Sequence, residues 1–200
     1  MYDLPTSGAQ GAPQARDANE ADLPGIVRVY LRAYAQPPWN EQNDPEKTVS
    51  YVRWLMAPEH MHTLVVPLSP DGAAAAGGSG GVGGFAISSP RPYEHFVGDW
   101  DHMAEKPPEG WPLVPGALGY IWELAVEPER QRAGVGSALM AATLEQLRRD
   151  GVEKVLLRSS EKAEAAMALY KKFGFTRLPV RERVDPLAGP WLLDLGEPAG

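Results

Sequence analysis

The feature that most constrains the fold is a strand–turn–helix run in the second half of the chain. Residues 120–126, YIWELAV, are typical of a strand, and the polar segment EPERQRAGVG at 127–136 is typical of a turn. Apolar residues then recur at helical spacing to about Arg149 and cover roughly half of the helix surface, as in a helix packed on a sheet. These positions are Val135, Leu139, Met140, Leu144 and Leu147.

The same alternation continues towards the C-terminus. A strand, KVLLR, is followed by a helix that ends at Gly174, and then by the strand-like segments FTRLPV and WLLDL. Strands that alternate with helices in this way predict an α/β domain of the mixed α+β type.

Two helices are predicted in the N-terminal half. Asn19 is a favourable N-cap for the first, with Asp22 three residues later as in a capping box, and Pro37-Pro38 ends the helix. The second is predicted over Pro45–Leu55.

Two strands, His62–Val66 and Val82–Ser88, are predicted next, joined by the flexible segment DGAAAAGGSGG. Residues Pro90–Gly119 show no clear period and are expected to form an irregular excursion over one end of the domain. We expect residues 1–14 to be a loose tail and 15–200 to form a single domain.

Composition narrows the function classes. The 200 residues contain 26 Asp and Glu against 19 Lys and Arg, a formal net charge of -7, which argues against nucleic acid as a partner. The absence of cysteine excludes disulfides, thiolate metal ligands and a Cys-acyl intermediate within this chain. No apolar run is long enough for a membrane span, and with no signal-peptide pattern we expect a cytoplasmic protein.

No metal site is predicted. The four histidines lack metal-ligand spacing, and the one near pair, His60 and His62, is better explained as a strand or surface pair.

Two glycines lie where the predicted turn meets the predicted helix, in the run Gln131-Arg132-Ala133-Gly134-Val135-Gly136. Free backbone N–H groups at a helix N-terminus, together with the helix dipole, bind anions. Gly134 and Gly136 leave room for a phosphate to approach the backbone, and Arg132 adds positive charge. The same glycines are also found in turns that need them only for packing a strand on a helix.

Spacing excludes the two common dinucleotide motifs. A Walker A loop ends in Gly-Lys-Ser/Thr, which this loop lacks. The Rossmann fingerprint requires a third glycine three residues after the second, and Leu139 occupies that position.

Two motifs together resemble the GNAT-type N-acetyltransferase family. The first is YIWELAVEPERQRAGVGSALM, in which Gln131, Gly134 and Gly136 match an Arg/Gln-x-x-Gly-x-Gly/Ala signature. The second is ALYKKFGF, which matches a Leu-Tyr-x-x-x-Gly-Phe ending. The resemblance is strong over 120–178 and extends loosely back to Ala15. It implies a central twisted, mostly antiparallel sheet, splayed at the cofactor site and flanked by about four helices, with acetyl-CoA as cosubstrate.

The resemblance also implies a set of cofactor-binding residues. The backbone of Leu124, Ala125 and Val126 would pair with the pantetheine arm like an added strand. The loop and the first helical turn would bind the pyrophosphate, mainly through backbone amides: Gln131, Arg132, Ala133, Gly134, Val135, Gly136 and Ser137. Many members have Asn seven residues before the tyrosine, whereas this chain has Ala163; Ser159, Ser160 or Lys162 are the candidates to replace that contact.

Two catalytic residues are predicted. The resemblance places Tyr170 near the thioester sulfur, where its hydroxyl would protonate the departing thiolate. Glu123 is the candidate base for the amine, with a water chain as the alternative, because a carboxylate in an apolar strand has a raised pKa. Strand alternation predicts that Glu123 shares a face with Ile121 and Ala125, opposite Trp122 and Leu124. The alternatives to a catalytic role are that Glu123 is paired with an arginine or faces solvent, and that Tyr170 is a core residue.

The predicted function is therefore transfer of an acetyl group from acetyl-CoA to a primary amine of a small molecule or protein, by direct attack in a ternary complex. The alternative is a catalytically inactive CoA-binding regulatory module. The first two helices and the irregular excursion are expected to border the acceptor, with Trp39 as a candidate lining residue. Homodimers are common in such enzymes, but no residue pattern here specifies one.

Overall fold

The computed structural model describes residues 12–57, 61–68, 81–90, 118–180 and 185–196. Within them, four α-helices are found: α1 (Leu23–Tyr34), α2 (Pro45–Met56), α3 (Val135–Arg149) and α4 (Glu164–Lys172). The strands are β1 (Arg16–Asp17), β2 (His62–Pro67), β3 (Val82–Pro90), β4 (Leu118–Val126), β5 (Lys154–Ser160), β6 (Thr176–Arg177) and β7 (Ala188–Asp194).

The predicted capping box is confirmed at the start of α1. Asn19 caps a short 3-10 turn that runs into the helix: its side chain accepts from the N–H of Ala21 (2.9 Å), and its own N–H donates to Asp22 (3.0 Å). Arg16 donates both terminal nitrogens to the same Asp22 carboxylate, at 2.8 and 2.9 Å. The box therefore ties the start of α1 to β1.

Seven strands of the described residues form one sheet in the order β1-β2-β3-β4-β5-β7-β6. Every neighbouring pair is antiparallel except β4 and β5, which are parallel. Helices α1 and α2 pack on one face, and α3 and α4 pack on the other. The predicted fold class and sheet are confirmed.

The parallel pair opens partway along its length. Strand β4 pairs with β5 only over Leu118–Ile121, opposite Lys154–Leu157. The rest of β4 stays paired with β3, and the end of β5 stays paired with β7. The two central strands therefore diverge after Ile121, and one edge of residues 122–126 faces the gap.

A β-bulge at Trp122 corrects the predicted alternation along β4. Ile87 of β3 lies opposite Glu123, but the next residue, Ser88, lies opposite Ile121. The extra residue reverses the alternation. Ile121 accordingly packs in the α3–α4 cluster, whereas Trp122 and Ala125 pack in the α1–α2 cluster. The prediction that Ile121 shares a face with Glu123, and that Trp122 lies opposite, is wrong; Ala125 is on the predicted side.

Some predicted boundaries also change. Pro90 ends β3 and Leu118 begins β4, so both ends of the predicted excursion belong to the sheet, and its interior, 91–117, lies outside the described residues. Most of the predicted tail (1–11) and most of the β2–β3 connection (69–80) also lie outside them. Of the segment FTRLPV, only Thr176–Arg177 is a strand.

Candidate active site

Glu123 lies at the centre of the α1–α2 face, just after the bulge in β4. Its side chain is buried, and the residue is 9% exposed. One carboxylate oxygen accepts a hydrogen bond from Tyr34 of α1 (2.5 Å), and the other accepts one from Tyr51 of α2 (2.7 Å). Glu123 is therefore held by two phenols from two helices rather than by an arginine or by solvent.

The charge state of this cluster follows from burial. Desolvation, with the nearby charge of Glu123 as the second cause, raises the pKa of Tyr34 and of Tyr51 above the ordinary value for tyrosine. Both phenols therefore keep their protons near neutral pH and act as donors to Glu123.

The pKa of Glu123 is raised, mainly because burial disfavours the charged carboxylate. The hydrogen bonds from Tyr34 and Tyr51 oppose this, since they favour the charged form, while the charge of Glu41 adds to the increase. A carboxyl group with a raised pKa is a better proton acceptor than an exposed one once it is ionised.

Tyr170 lies on the opposite side of the sheet, on α4. It is 9% exposed and packs against Phe175 and Trp191, with ring centroids 6.0 and 5.8 Å away. Burial raises its pKa, the Ser159 hydroxyl lowers it, and the charge of Glu123 raises it further. The charge of Glu123 on β4 therefore affects the pKa of Tyr170 on α4, although the two residues lie on different elements.

Ala163 occupies the position where many family members have an asparagine. Ala163 is buried and is the N-cap residue of α4, with no side-chain cap. Ser160 donates to Asp185 and accepts from the N–H of Lys162, both at 3.4 Å. The hydroxyl of Ser159 is buried without a well-formed hydrogen bond, although it lies near enough to Tyr170 to affect its pKa. Of the three candidates, Ser159 has the hydroxyl with unused hydrogen-bonding capacity.

The loop between β4 and α3 has a strained turn followed by free amides. Arg132 and Gly134 adopt positive φ angles of 62° and 85°. The N–H of Ala138 makes the first helical hydrogen bond, to Gly134, so the amides of Val135, Gly136 and Ser137 have no acceptor within the helix. The predicted cofactor residues of this loop thus lie together at the N-terminus of α3, directly after Leu124, Ala125 and Val126 at the open part of β4.

Gly136 borders the gap in the sheet. A Cβ atom at this position would lie 3.4 Å from Leu169 of α4 and 3.6 Å from Val126 of β4. Such contacts are ordinary van der Waals distances, so packing of the protein alone does not require glycine here.

Three polar residues of the site were not predicted. Lys172 of α4 donates a hydrogen bond to Ser137 in the first turn of α3 (3.1 Å), which brings a cation to the free amides. Tyr34 and Tyr51 belong to the two helices predicted in the N-terminal half, but no role is predicted there for either side chain. Their partner, Glu123, is distant in sequence, and no local pattern pairs it with either tyrosine. For Lys172, the pair of lysines directly after Tyr170 is the one visible signal in the sequence.

Metal ligands are not grouped in the described part of the chain, where no three His, Asp or Glu side chains come together. His62 instead contacts Asp150, with 2.6 Å between Nε2 and Oδ2, and His60 lies outside the described residues. None of the helices that the structure describes is long and apolar enough to cross a bilayer.

Comparison with solved structures identifies the fold. The ribosomal-protein-S18-alanine N-acetyltransferase of Escherichia coli superposes with a TM-score of 0.60 at 20% identity, covering 94% of this chain and 96% of that one. The putative acetyltransferase yncA of Salmonella typhimurium, solved with acetyl-CoA, gives 0.63 at 19% identity, covering 95% and 98%.

Sequence comparison gives shorter matches of higher identity. Mycothiol acetyltransferase of Kocuria rhizophila is 43% identical over 61 residues, 30% of this chain and 20% of that protein. The ribosomal protein bS18 alanine N-acetyltransferase of E. coli is 33% identical over 66 residues, 33% of this chain and 45% of that protein. The match thus spans about a fifth to a half of these relatives.

The family itself is matched over most of the chain. Residues 26–175 match the Acetyltransferase (GNAT) family, and this range includes most of α1, all of α2, the opened pair β4 and β5, the loop before α3 and Tyr170. The chain is a member of the GNAT family of acetyltransferases.

Proposed function

We propose that this acetyltransferase transfers the acetyl group of acetyl-CoA to a primary amine of a small molecule or peptide, by direct attack in a ternary complex. The observation that carries the proposal is the buried carboxylate of Glu123 at the point where β4 leaves β5. A group in that position can take a proton from an amine that enters from the α1–α2 face.

The cofactor is proposed to lie in the gap between the two strands. Its pantetheine arm pairs with the free edge of Leu124, Ala125 and Val126, and its pyrophosphate accepts hydrogen bonds from the loop and first turn of α3. The free amides there, the positive φ of Gly134 and the adjacent ammonium of Lys172 support this placement. The acetyl-CoA in the Salmonella structure, on the same fold, supports the choice of cofactor.

The proposed reaction consists of nucleophilic attack, cleavage of the thioester and two proton transfers. The ammonium of the acceptor loses one proton to Glu123, directly or through a water, and its nitrogen attacks the thioester carbonyl carbon. The C–S bond breaks, the sulfur takes the proton of the Tyr170 hydroxyl, and the new amide nitrogen loses its second proton, which restores the tyrosine. Backbone N–H groups of β4 are the proposed donors to the oxyanion.

Release of free thiol from acetyl-CoA, measured across a panel of primary amines, tests the proposal. We expect amine-dependent release by the wild type and, for Glu123→Gln, a kcat lower by about 100-fold or more, the usual contribution of a general base. Coenzyme A binding without release for any amine would overturn the proposal and favour a regulatory module.

A further inference from the structure

Seven aromatic rings form a continuous belt that includes the two tyrosines bonded to Glu123. Successive ring centroids lie 4.5 to 6.4 Å apart, close enough for each ring to contact the next. In order, this aromatic belt consists of Trp39, Tyr34, Tyr30, Tyr51, Trp54, Trp122 and Tyr120. Its members come from α1, α2, β4 and the segment that follows α1, so the belt connects the two helices to the strand that carries Glu123.

The belt reaches the surface at Trp54. This side chain is 60% exposed, and Tyr51 next to it is 36% exposed; in the described residues only Leu187 joins them as a large exposed apolar side chain. Trp54 stacks on Tyr51 at an interplanar angle of 26°. Its contact with Trp122 is edge-to-face, at an interplanar angle of 89°. A large aromatic surface that stays exposed beside a buried polar group is typical of a ligand site.

Charge selects the kind of ligand. The carboxylate of Glu123 is bonded to neutral phenols, and no Arg or Lys of the described residues forms an ion pair with it. Glu41 adds further negative potential. Carboxylate charge and the electron-rich faces of aromatic rings both favour a cation.

The ring surface that begins at the exposed Trp54 is therefore apolar, and a carboxylate lies at its inner end. Trp54 leads to Tyr51, and the Tyr51 hydroxyl contacts Glu123. A ligand that matches both features would have an ammonium at one end and a flat apolar body that stacks on the rings. A strongly hydrated ligand would lose its water against these faces without gaining equivalent hydrogen bonds.

Taking the proposed function as its basis, we propose that the acceptor is a small primary amine with an aromatic body, bound with its ammonium at Glu123 and its ring against Trp54 and Tyr51. Trp54 is then a specificity-determining residue. It contributes stacking area to the acceptor and takes no part in proton transfer.

Equilibrium binding in the presence of coenzyme A, which cannot donate an acetyl group, tests this directly. The probes are 2-phenylethylamine, its neutral analogue 2-phenylethanol and the polar amine ethanolamine. We expect 2-phenylethylamine to bind at least about tenfold more tightly than the other two, because 2-phenylethanol lacks the ammonium and ethanolamine lacks the ring.

Variants of Trp54 test the contribution of its ring, and a truncation elsewhere controls for effects on the fold. Trp54→Ala is expected to weaken 2-phenylethylamine binding by about 3- to 10-fold, the range for an aromatic contact, while Trp54→Phe retains most of the affinity. Leu187→Ala, a truncation at the other exposed apolar position, should change nothing. Equal binding of the three probes, or a Trp54→Ala protein that binds 2-phenylethylamine like the wild type, would overturn the inference.

Acetyl transfer to the same amines distinguishes the two proposals. Rapid transfer to ethanolamine or to a peptide N-terminus, with none to 2-phenylethylamine, would overturn the inference and leave the proposed function intact. Trp54-dependent binding of 2-phenylethylamine without transfer to any amine would support the ligand class and overturn the proposed function.

Discussion

The carboxylate of Glu123 on β4 accepts a hydrogen bond of 2.5 Å from the phenol of Tyr34 on α1, although 89 residues separate the two in the chain. Tyr51 of α2 bonds the other oxygen. The two helices are thereby joined to the central strand through one carboxylate, next to a cluster of buried apolar side chains. The same hydrogen bonds adjust the pKa of the proposed base, so the packing of α1 and α2 and the proton chemistry are linked.

Replacing Tyr51 by Phe should move the acidic limb of the kcat profile to higher pH. The hydrogen bond from Tyr51 favours ionised Glu123 and lowers its pKa, so its loss raises the pKa. A base with a higher pKa becomes protonated, and inactive, at a higher pH. A hydrogen bond to a charged group contributes about 1.5–3 kcal/mol, which corresponds to a shift of about 1–2 pH units.

The measurement is kcat against pH for wild type and variant. Tyr30→Phe is the matched control, because the Tyr30 ring lies 5.9 Å from Tyr51 but no hydrogen bond joins Tyr30 to Glu123 in the described structure. A shift of the limb to lower pH in Tyr51→Phe would contradict the assignment of Glu123 as base.

Tyr170→Phe should lower kcat by about 100-fold if its hydroxyl protonates the departing thiolate. The change removes one oxygen and keeps the ring that packs on Phe175 and Trp191, so the free energy of unfolding should change by less than about 1.5 kcal/mol. Steady-state kinetics over the pH range, with a denaturation curve as control, gives both values. An unchanged kcat would show that Tyr170 is only a core tyrosine.

Gly136→Ala should raise the KM for acetyl-CoA by about tenfold and leave folding intact. The added methyl group makes ordinary contacts with Leu169 and Val126, and alanine stabilises a helix relative to glycine, but it occupies the proposed pyrophosphate site.

Gly151→Ala, past the other end of α3, is the matched control. Its φ of 77° is unfavourable for alanine, although nothing lies within 4 Å. It should lower stability by about 1 kcal/mol without changing KM. If Gly136→Ala binds coenzyme A like the wild type, the proposed cofactor site is wrong.

Lys172→Gln should raise the KM for acetyl-CoA by about 3- to 10-fold, and the difference should shrink at high salt, since an exposed charge is screened. The expectation rests on the hydrogen bond from Lys172 to Ser137 beside the free amides of α3. Lys171→Gln removes the same charge one residue earlier and should leave KM unchanged. Equal effects of the two variants would mean that only net charge matters.

Asp22→Asn should destabilise the fold by about 1–3 kcal/mol near pH 7, because it weakens charged hydrogen bonds from Arg16 and from the Asn19 backbone. The hydrogen bond from Arg16 lowers the folded-state pKa of Asp22 below its usual value. This contribution is therefore complete above the unfolded pKa of about 4 and is lost as the pH falls through the lower folded pKa.

Urea denaturation at several pH values measures the difference between wild type and Asp22→Asn. It should narrow below about pH 4. Asp17→Asn, at an exposed position of β1, is the control and should be near neutral throughout. A gap that widens in acid would contradict the role given to Asp22.

Local patterns were sufficient for much of the fold. The capping box at Asn19, the ends of α3 and the glycine that stops α4 depend on residues within a few positions of one another, so spacing along the chain predicts them. The sheet and its opening are predicted from the two motifs that resemble the GNAT family.

The surroundings of Glu123 were decided by tertiary structure. Whether Trp122 forms a bulge depends on the register with β3, which the sequence of β4 alone does not specify, and the bulge determines which face Ile121 occupies. Tyr34 and Tyr51 reach Glu123 only because two helices pack over the same strand. The strand, loop and helix over 120–149 are predictable from sequence, because they depend on residues close together in the chain. The partners of the Glu123 carboxylate and the aromatic belt are not, because they join residues far apart in the chain and require the helices to pack over the sheet.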